Sequence, residues 1–322
     1  MSTKERLLAL LEENRGCFLS GEEAAEALGV SRTAVWKAVN ALRSLGYAID
    51  AVSNKGYSLS ENADILCAGG IEKHLHDGGL RIQVLPSASS TNTLLREQAN
   101  AGAPEGLVIL ANTQTRGHGR YGRSFFSPAD SGLYMSLLLR PHGYSPEQAA
   151  SLTTMAAVAA CEAIEAVSGC KAAIKWVNDV LIAGKKVCGI LTEGAVSLES
   201  QSMEYVVLGI GINVYPPREG FPEELQEIAG FVLERQQADG KNALAAGFLN
   251  RFMGYYRRND RDYAQAYRER SVVIGREIDV IVPSGSRRAL ALDIDMDCRL
   301  LVRYENGEIA RLSSGEVSIR RV

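Results

Sequence analysis

The most constraining stretch of this sequence is residues 112–123, NTQTRGHGRYGR, set between two apolar runs at residues 106–111 and 131–140. The flanking runs predict strands, so the stretch is a loop delivered by one strand and returned to another. Gly117, Gly119 and Gly122 free its backbone to bring N–H groups close to a ligand. Arg116, Arg120, Arg123 and His118 share the loop, and no Asp or Glu occurs between Ala111 and Pro128. Glycine-rich backbone with unopposed guanidinium is the composition of an anion cradle. No GK[ST] follows, so it is not a Walker loop, and the basic side chains crowding the turn exclude a dinucleotide fingerprint. A solvated basic loop has the same composition and stays open as the plainer reading.

Other polar clusters fall at strand–helix and strand–turn junctions. A strand at residues 81–85 runs into Ser87-Ala88-Ser89-Ser90-Thr91-Asn92, which caps a helix over residues 93–101 and has donors to spare for a polar ligand. A long Ala-rich helix, capped by Ser145 with Pro146 in its first turn, ends near Gly169 and is expected to pack across a sheet. Strands at residues 172–176, 180–183 and 187–193 enclose Lys175-Trp176-Val177-Asn178-Asp179 and Lys186. A lysine leading into a buried strand either meets an anion or snorkels to water. Residues 205–214 form a further strand whose Gly209 and Gly211 suit a ligand lying flat on the backbone.

The first sixty residues read as a winged helix-turn-helix. Helices are expected at residues 3–14, from a capping box of Ser20 and Glu23 to Leu28, and from Arg32 to Leu45, with a break at Gly29. The third helix presents Arg32, Thr33, Trp36, Lys37, Asn40 and Arg43 away from an apolar stripe, and Lys55 tips a wing between two short strands. These groups suit phosphates and base edges. Seven basic residues balance seven acidic ones over residues 1–60, but the basic ones gather on the third helix and wing. A helical unit used only for protein contacts is the alternative.

From Ser271 the pattern becomes short alternating strands with a hairpin signal at Asn306-Gly307, which fits a small SH3-like barrel. Two helices, over residues 242–258 and 261–270, precede it. A length of 322 residues calls for two or three domains. Hydrophobic residues at 46% and charged ones at 23% exclude a largely disordered chain, and a net charge of −3 excludes a basic coat over the whole surface. Six scattered cysteines without a CxxC pair support neither a disulfide framework nor a zinc site. The charged N-terminus is unlike a signal peptide, and the apolar stretch at residues 149–161 is short for a membrane span, so a cytoplasmic location is expected.

Taken together, Ser90-Thr91-Asn92, Gln114, the arginine-glycine loop, the Lys175 cluster, Lys186 with Gly189, and Gly209 to Asn213 stand in the order and spacing of biotin protein ligases. With its helix-turn-helix the chain resembles the bifunctional bacterial form, which is both biotin–[acetyl-CoA-carboxylase] ligase and biotin operon repressor. The resemblance spans essentially the whole chain and implies an α+β multidomain protein. Its parts would be a winged helix-turn-helix at residues 1–62, a mixed-sheet α/β ligase domain at 63–270 and an SH3-like domain at 271–322. It also implies formation of biotinyl-5′-AMP from biotin and ATP with Mg²⁺. Biotin would then pass to a lysine of the biotin carboxyl carrier protein of acetyl-CoA carboxylase, and the adenylate would promote homodimerisation on operator DNA. By the same resemblance Ser90, Thr91, Asn92, Gln114, His118, Gly119, Gly189 and Gly209 would hold biotin. Arg120 and Lys186 would serve its carboxylate and the α-phosphate, and Arg123 and Lys175 the other phosphates. Asn178 would meet adenine, Asp179 would help place Mg²⁺, and Glu316 or Arg320 would reach the nucleotide unless their role is structural. Two positions depart from the family: His118 stands where arginine is common, and Val177 where proline is usual. A sensor-repressor without ligase turnover and a lipoate-type ligase are the competing readings.

Overall fold

The computed structural model describes residues 2–44, 47, 49–60, 64–76, 78–197, 199, 201–258, 261–282 and 285–319. The chain divides into two compact units, Met1–Lys73 with Arg235–Ala243, and His74–Glu234 with Leu244–Val322.

The first unit begins with helices α1 (Thr3–Glu13), α2 (Gly21–Leu28) and α3 (Arg32–Ser44). Ser2 with Glu5 and Ser20 with Glu23 form reciprocal capping boxes, so the orphan N–H groups of α1 and α2 are satisfied within one turn. Gly29 ends α2 with φ 64°, a left-handed conformation that glycine adopts without steric cost. Leu7, Leu11, Leu28, Val35, Val39 and Leu42 close one apolar core between the three helices. Strands β1 (Ile49–Val52) and β2 (Gly56–Leu59) pair antiparallel as the wing, and helix α4 (Ala68–Glu72) follows.

The sequence reads residues 61–79 as a polar connection with a short helix near residues 71–75; the helix falls slightly earlier, at α4, and the structure ties Asp64 and Ile65 to the distant segment of the same unit. Asp64 accepts from the Lys241 amide at 3.0 and 2.9 Å, and the Asn242 amide group donates to the Ile65 carbonyl at 2.7 Å.

In the second unit the order is β3 (Arg81–Leu85), α5 (Thr91–Asn100), β4 (Leu107–Ala111), β5 (Gly132–Leu139), α6 (Pro146–Ser168), β6 (Ala172–Lys175), β7 (Asp179–Ile182), β8 (Lys185–Val196) and β9 (Met203–Asn213). The strands make one seven-stranded sheet, β3-β4-β5-β9-β8-β7-β6, parallel only between β3 and β4. Helix α5 packs Leu95 and Ala99 on Ile109, Leu138 and Val207 of one face. Helix α6 covers the other face, where Thr153 and Thr192 bring their hydroxyls to 2.7 Å. By length and apolar composition α6 could cross a membrane, but its apolar side is committed to the sheet: Leu152, Ala156, Ala160 and Ile164 are fully buried.

After α7 (Gly240–Arg258) and α8 (Asp262–Glu269) come β10 (Glu277–Val282), β11 (Gly285–Ile294), β12 (Leu300–Tyr304), β13 (Ile309–Leu312) and β14 (Glu316–Ile319). These form the expected small C-terminal β domain, an antiparallel sheet ordered β13-β12-β11-β10-β14. Its 3.1 Å bond from the Trp176 indole N–H to the Cys298 carbonyl fixes it beside the β6–β7 turn.

Candidate functional site

Directly opposed residues of an antiparallel pair share a face of the sheet. Lys175 opposes Asp179, Asp179 opposes Gly189, Gly189 opposes Gly211, and Gly211 opposes Tyr134. One row across four strand pairs therefore presents a cation, a carboxylate and two glycines on the α5 side. Lys186 lies three residues before Gly189, a spacing that points the two to opposite faces of a regular strand. The register shifts here: Val180 opposes Cys188 and Leu181 opposes Lys186, so Val187 is the extra residue of a β-bulge. The bulge returns Lys186 to the face of Asp179, and its ammonium lies 2.6 Å from Asp179 Oδ1. Lys175 is half-buried, and among the described residues its ammonium has no ion-pair or hydrogen-bond partner.

The arginine-glycine loop is fastened at its stem by backbone bonds from Thr115 to Ala88 and from Arg116 to Ser89, at 3.0 and 2.8 Å. Beyond that, its bonds close on itself, from Gly119 N–H to the Arg123 carbonyl and from Phe125 N–H to the Gly117 carbonyl. A Cβ on buried Gly117 would come within 2.6 Å of Ser127 Oγ, so the tight turn accepts no side chain. Arg120 donates to the Gly315 carbonyl at 2.6 Å and reaches Asn178 Oδ1 at 3.4 Å. Arg123 pairs with Glu316 at 2.6 Å. Asn178 in turn donates to the Ile190 carbonyl at 2.9 Å. Arg120, Lys186, Asp179 and Asn178 thus gather at one place, and Arg123 is held towards the C-terminal domain. Arg320 lies outside the described residues.

The polar turn before α5 is buried and wired to the loop. Ser90 Oγ caps the helix from Thr93, and the Thr91 amide donates to Gln114 Oε1 at 2.8 Å. The Gln114 side chain donates to Ser127 Oγ at 3.2 Å. The Ser136 hydroxyl sits 2.8 Å from Thr91 Oγ1 and 2.6 Å from Asn92 Oδ1, and Asn92 donates to Glu193 Oε2 at 2.8 Å. Sequence reasoning missed Ser136, Glu193 and Phe125, because what selects each is a partner remote in the chain. The glycines of β9 also differ from expectation. A Cβ at Gly209 would collide with the Asn92 amide and one at Gly211 with the Phe125 ring, so they make room for the protein's own side chains. Gly189 faces Lys186 and Phe125, and Gly119 is open apart from the Arg123 carbonyl at 3.8 Å.

Burial pushes the Cys188 thiol well above its ordinary value, and likewise raises the phenols of Tyr134 and Tyr267. Cys188 opposes Val180 and Ile212, on the face turned from the row, so neither position nor acidity makes it a nucleophile here. A cavity of about 350 Å³ opens beside β8, between Pro146–Thr153 of α6 and Ser313–Ser314. It meets the cationic cluster only at Arg120, so it adjoins the site without containing it.

In the first unit, Arg32, Thr33, Trp36 and Lys37 are exposed together on α3, and Trp36 is 56% exposed despite its size. Asn40 is half-buried. Arg43 is exposed as well, but its guanidinium is engaged: Nε and Nη2 donate to the Ile49 carbonyl at 2.9 and 2.6 Å, fastening α3 to the wing. Lys55 is exposed at the wing, 5.9 Å from the Phe18 ring centre.

Known proteins resemble the chain throughout. Residues 84–213 match the biotin/lipoate A/B protein ligase family, residues 3–58 an HTH domain, and residues 273–320 the biotin protein ligase C-terminal domain. The chain is 34% identical to the bifunctional ligase/repressor BirA of Bacillus spizizenii, with 98% of each protein covered. It is 31% identical to the BirA of Escherichia coli, over 98% of this chain and 96% of that one. Among solved structures it is similar to the biotin protein ligase of Aquifex aeolicus in complex with biotin and ATP, with TM-score 0.61 and 26% identity over 75% of this chain and 99% of that one.

Proposed function

The chain belongs to the family of bifunctional biotin ligase/repressors, and from that premise we propose a two-step reaction and a repressor role for it. A biotin carboxylate oxygen attacks the α-phosphorus of ATP, forming the mixed anhydride biotinyl-5′-AMP as pyrophosphate leaves. The amine of a carrier lysine then attacks the acyl carbon, and AMP leaves as the amide forms. The acceptor is the biotin carboxyl carrier protein of acetyl-CoA carboxylase.

The first step brings two anions together, so its barrier falls when fixed cations meet the charge growing on the α-phosphoryl oxygens. The observation that carries this reading is the shared face of Lys175, Asp179, Gly189 and, through the bulge, Lys186, with Arg120 reaching the same cluster from the loop. Lys186 exchanges the Asp179 carboxylate for the substrate carboxylate, which it and Arg120 hold against the α-phosphate. Lys175, with no internal partner to give up among the described residues, binds the departing phosphates together with Arg123. Asn178 has one amide hydrogen on the Ile190 carbonyl and one oxygen lone pair turned to Arg120, which leaves a donor and an acceptor for adenine.

Ser90, Thr91, Asn92 and Gln114, with the loop backbone at His118 and Gly119, hold the ureido end of biotin, and Gly189 lies beneath it, while Gly209 makes room for Asn92. No group of three His, Cys, Asp or Glu among the described residues could cage a metal. Mg²⁺ therefore fits as an ion carried in on the triphosphate, where it offsets phosphate charge, with Asp179 as the protein's carboxylate beside it. Keeping water from the anhydride preserves it for the carrier amine.

The exposed α3 residues Arg32, Thr33, Trp36 and Lys37, with Asn40 and Lys55, bind operator DNA, and Arg43 supports them through the wing. The adenylate-bound form works as a homodimer in the cytoplasm. Biotin-dependent exchange of labelled pyrophosphate into ATP tests the first step by itself. Exchange that needs both biotin and Mg²⁺ supports the ligase, whereas biotin binding without exchange would leave a sensor-repressor.

A further inference from the structure

Glu193 lies on β8 four residues beyond Gly189, on the same face of the sheet. Its Oε2 takes the Asn92 amide at 2.8 Å and lies 3.5 Å from His118 Nε2, and its Oε1 lies 3.4 Å from Arg96 Nη1. One carboxylate is thus aimed by two side chains of α5 and offered to the tip of the arginine-glycine loop. Among the described residues that tip makes no backbone bond outside the loop and is held by three side chains: His118, Arg120 and Arg123. When Arg120 and Arg123 turn to a substrate anion they release Gly315 and Glu316. His118 has no such competitor, so its tether persists while substrate is bound.

We propose that Glu193 is a positioning residue that clamps the arginine-glycine loop over the substrate face through His118. The inference rests on the ligase reading above and deepens it, since it names what keeps biotin and its adenylate under the loop. Loss of the clamp raises KM for biotin more than it lowers kcat, because the reacting groups stay in place once substrate is seated.

The loop carries three trypsin sites, Arg116, Arg120 and Arg123, so limited trypsinolysis of the full chain without ligands reads its opening directly. Cleavage in the loop is expected to be roughly two- to fivefold faster in Glu193→Ala, the scale of one partly exposed polar side-chain contact. His118→Ala should match it, and the double variant should be no faster than either single one, because both remove the same contact. Glu193→Gln keeps one oxygen for both Asn92 and His118, so it should stay close to the wild-type rate and separates loss of the contact from simple misfolding. With biotin and a carrier domain, KM for biotin should rise by a similar factor while kcat moves less than about twofold. Cleavage of Glu193→Ala at the wild-type rate, cleavage of Glu193→Gln as fast as that of Glu193→Ala, or effects of Glu193→Ala and His118→Ala that multiply, would overturn the proposal. Trypsinolysis needs neither biotin nor ATP, so that result leaves the ligase reading standing. Absence of pyrophosphate exchange in the wild type would sink the ligase reading alone.

Discussion

Gly209 and Lys175 show how single residues divide stability from function in this site. At Gly209 the space a side chain would fill belongs to Asn92, whose amide also holds Ser136 and Glu193. Gly209→Ala is therefore expected to lower stability by about 1–3 kcal/mol, as overpacking does, and to weaken biotin binding. Thermal unfolding and biotin titration check both effects; an unchanged biotin affinity would show that Asn92 does not order the pocket. Lys175 is the converse case. Its ammonium has no internal partner among the described residues, so Lys175→Ala orphans nothing. The melting temperature should hold while adenylate formation, followed by pyrophosphate exchange, drops about 10²–10³-fold, the scale of losing one charge-stabilising donor. A variant that exchanges at the wild-type rate would remove Lys175 from the chemistry.

Elements were legible in the sequence where their determinants are local. The Ser20–Glu23 capping box, the stop at Gly29 and the Asn306-Gly307 hairpin between β12 and β13 all depend on neighbours within a few residues, and all are present. The cationic loop was visible because charge without countercharge is a local signal, and the Lys175 cluster because a cation, an amide and a carboxylate fall within five residues of one strand–turn junction. The bulge at Val187 was not visible, since it exists only in the pairing of β7 with β8. The link from Asp64 to Lys241, 177 residues apart, was hidden for the same reason, as was the partnership of Asn92 with Glu193. Arg43 marks the same limit on α3: helical periodicity places it among the DNA-facing residues, and only the fold shows that Ile49 claims its guanidinium. Arg43→Ala should loosen the joint between α3 and the wing by about 1–3 kcal/mol and weaken operator binding. Unfolding of the full chain and operator titration measure the two, and an unaltered melting temperature would show the joint to be dispensable.

Over the whole molecule, several exposed carboxylates sit below their ordinary values through local hydrogen bonds. Glu5 and Glu23 are lowered chiefly by the backbone N–H of Ser2 and Ser20, and Asp293 by the Arg268 side chain. A carboxylate lowered in the folded state adds stability above its unfolded value, and that contribution is lost as pH falls through the folded one. With ordinary values of 4.5 for Glu and 3.8 for Asp, these groups leave the melting temperature flat from neutrality to about pH 5 and lower it beneath that. Destabilisation setting in above pH 6 would mean that other groups control the acid limb.

The central claim, that one chain activates biotin and delivers it to a carrier lysine, is tested most directly by intact mass spectrometry. An apo biotin-carrier domain incubated with this protein, biotin, ATP and Mg²⁺ should gain the mass of a single biotinyl group, and should gain nothing when ATP is left out. A carrier domain of unchanged mass under the complete conditions, with a protein that still binds biotin, would contradict the account.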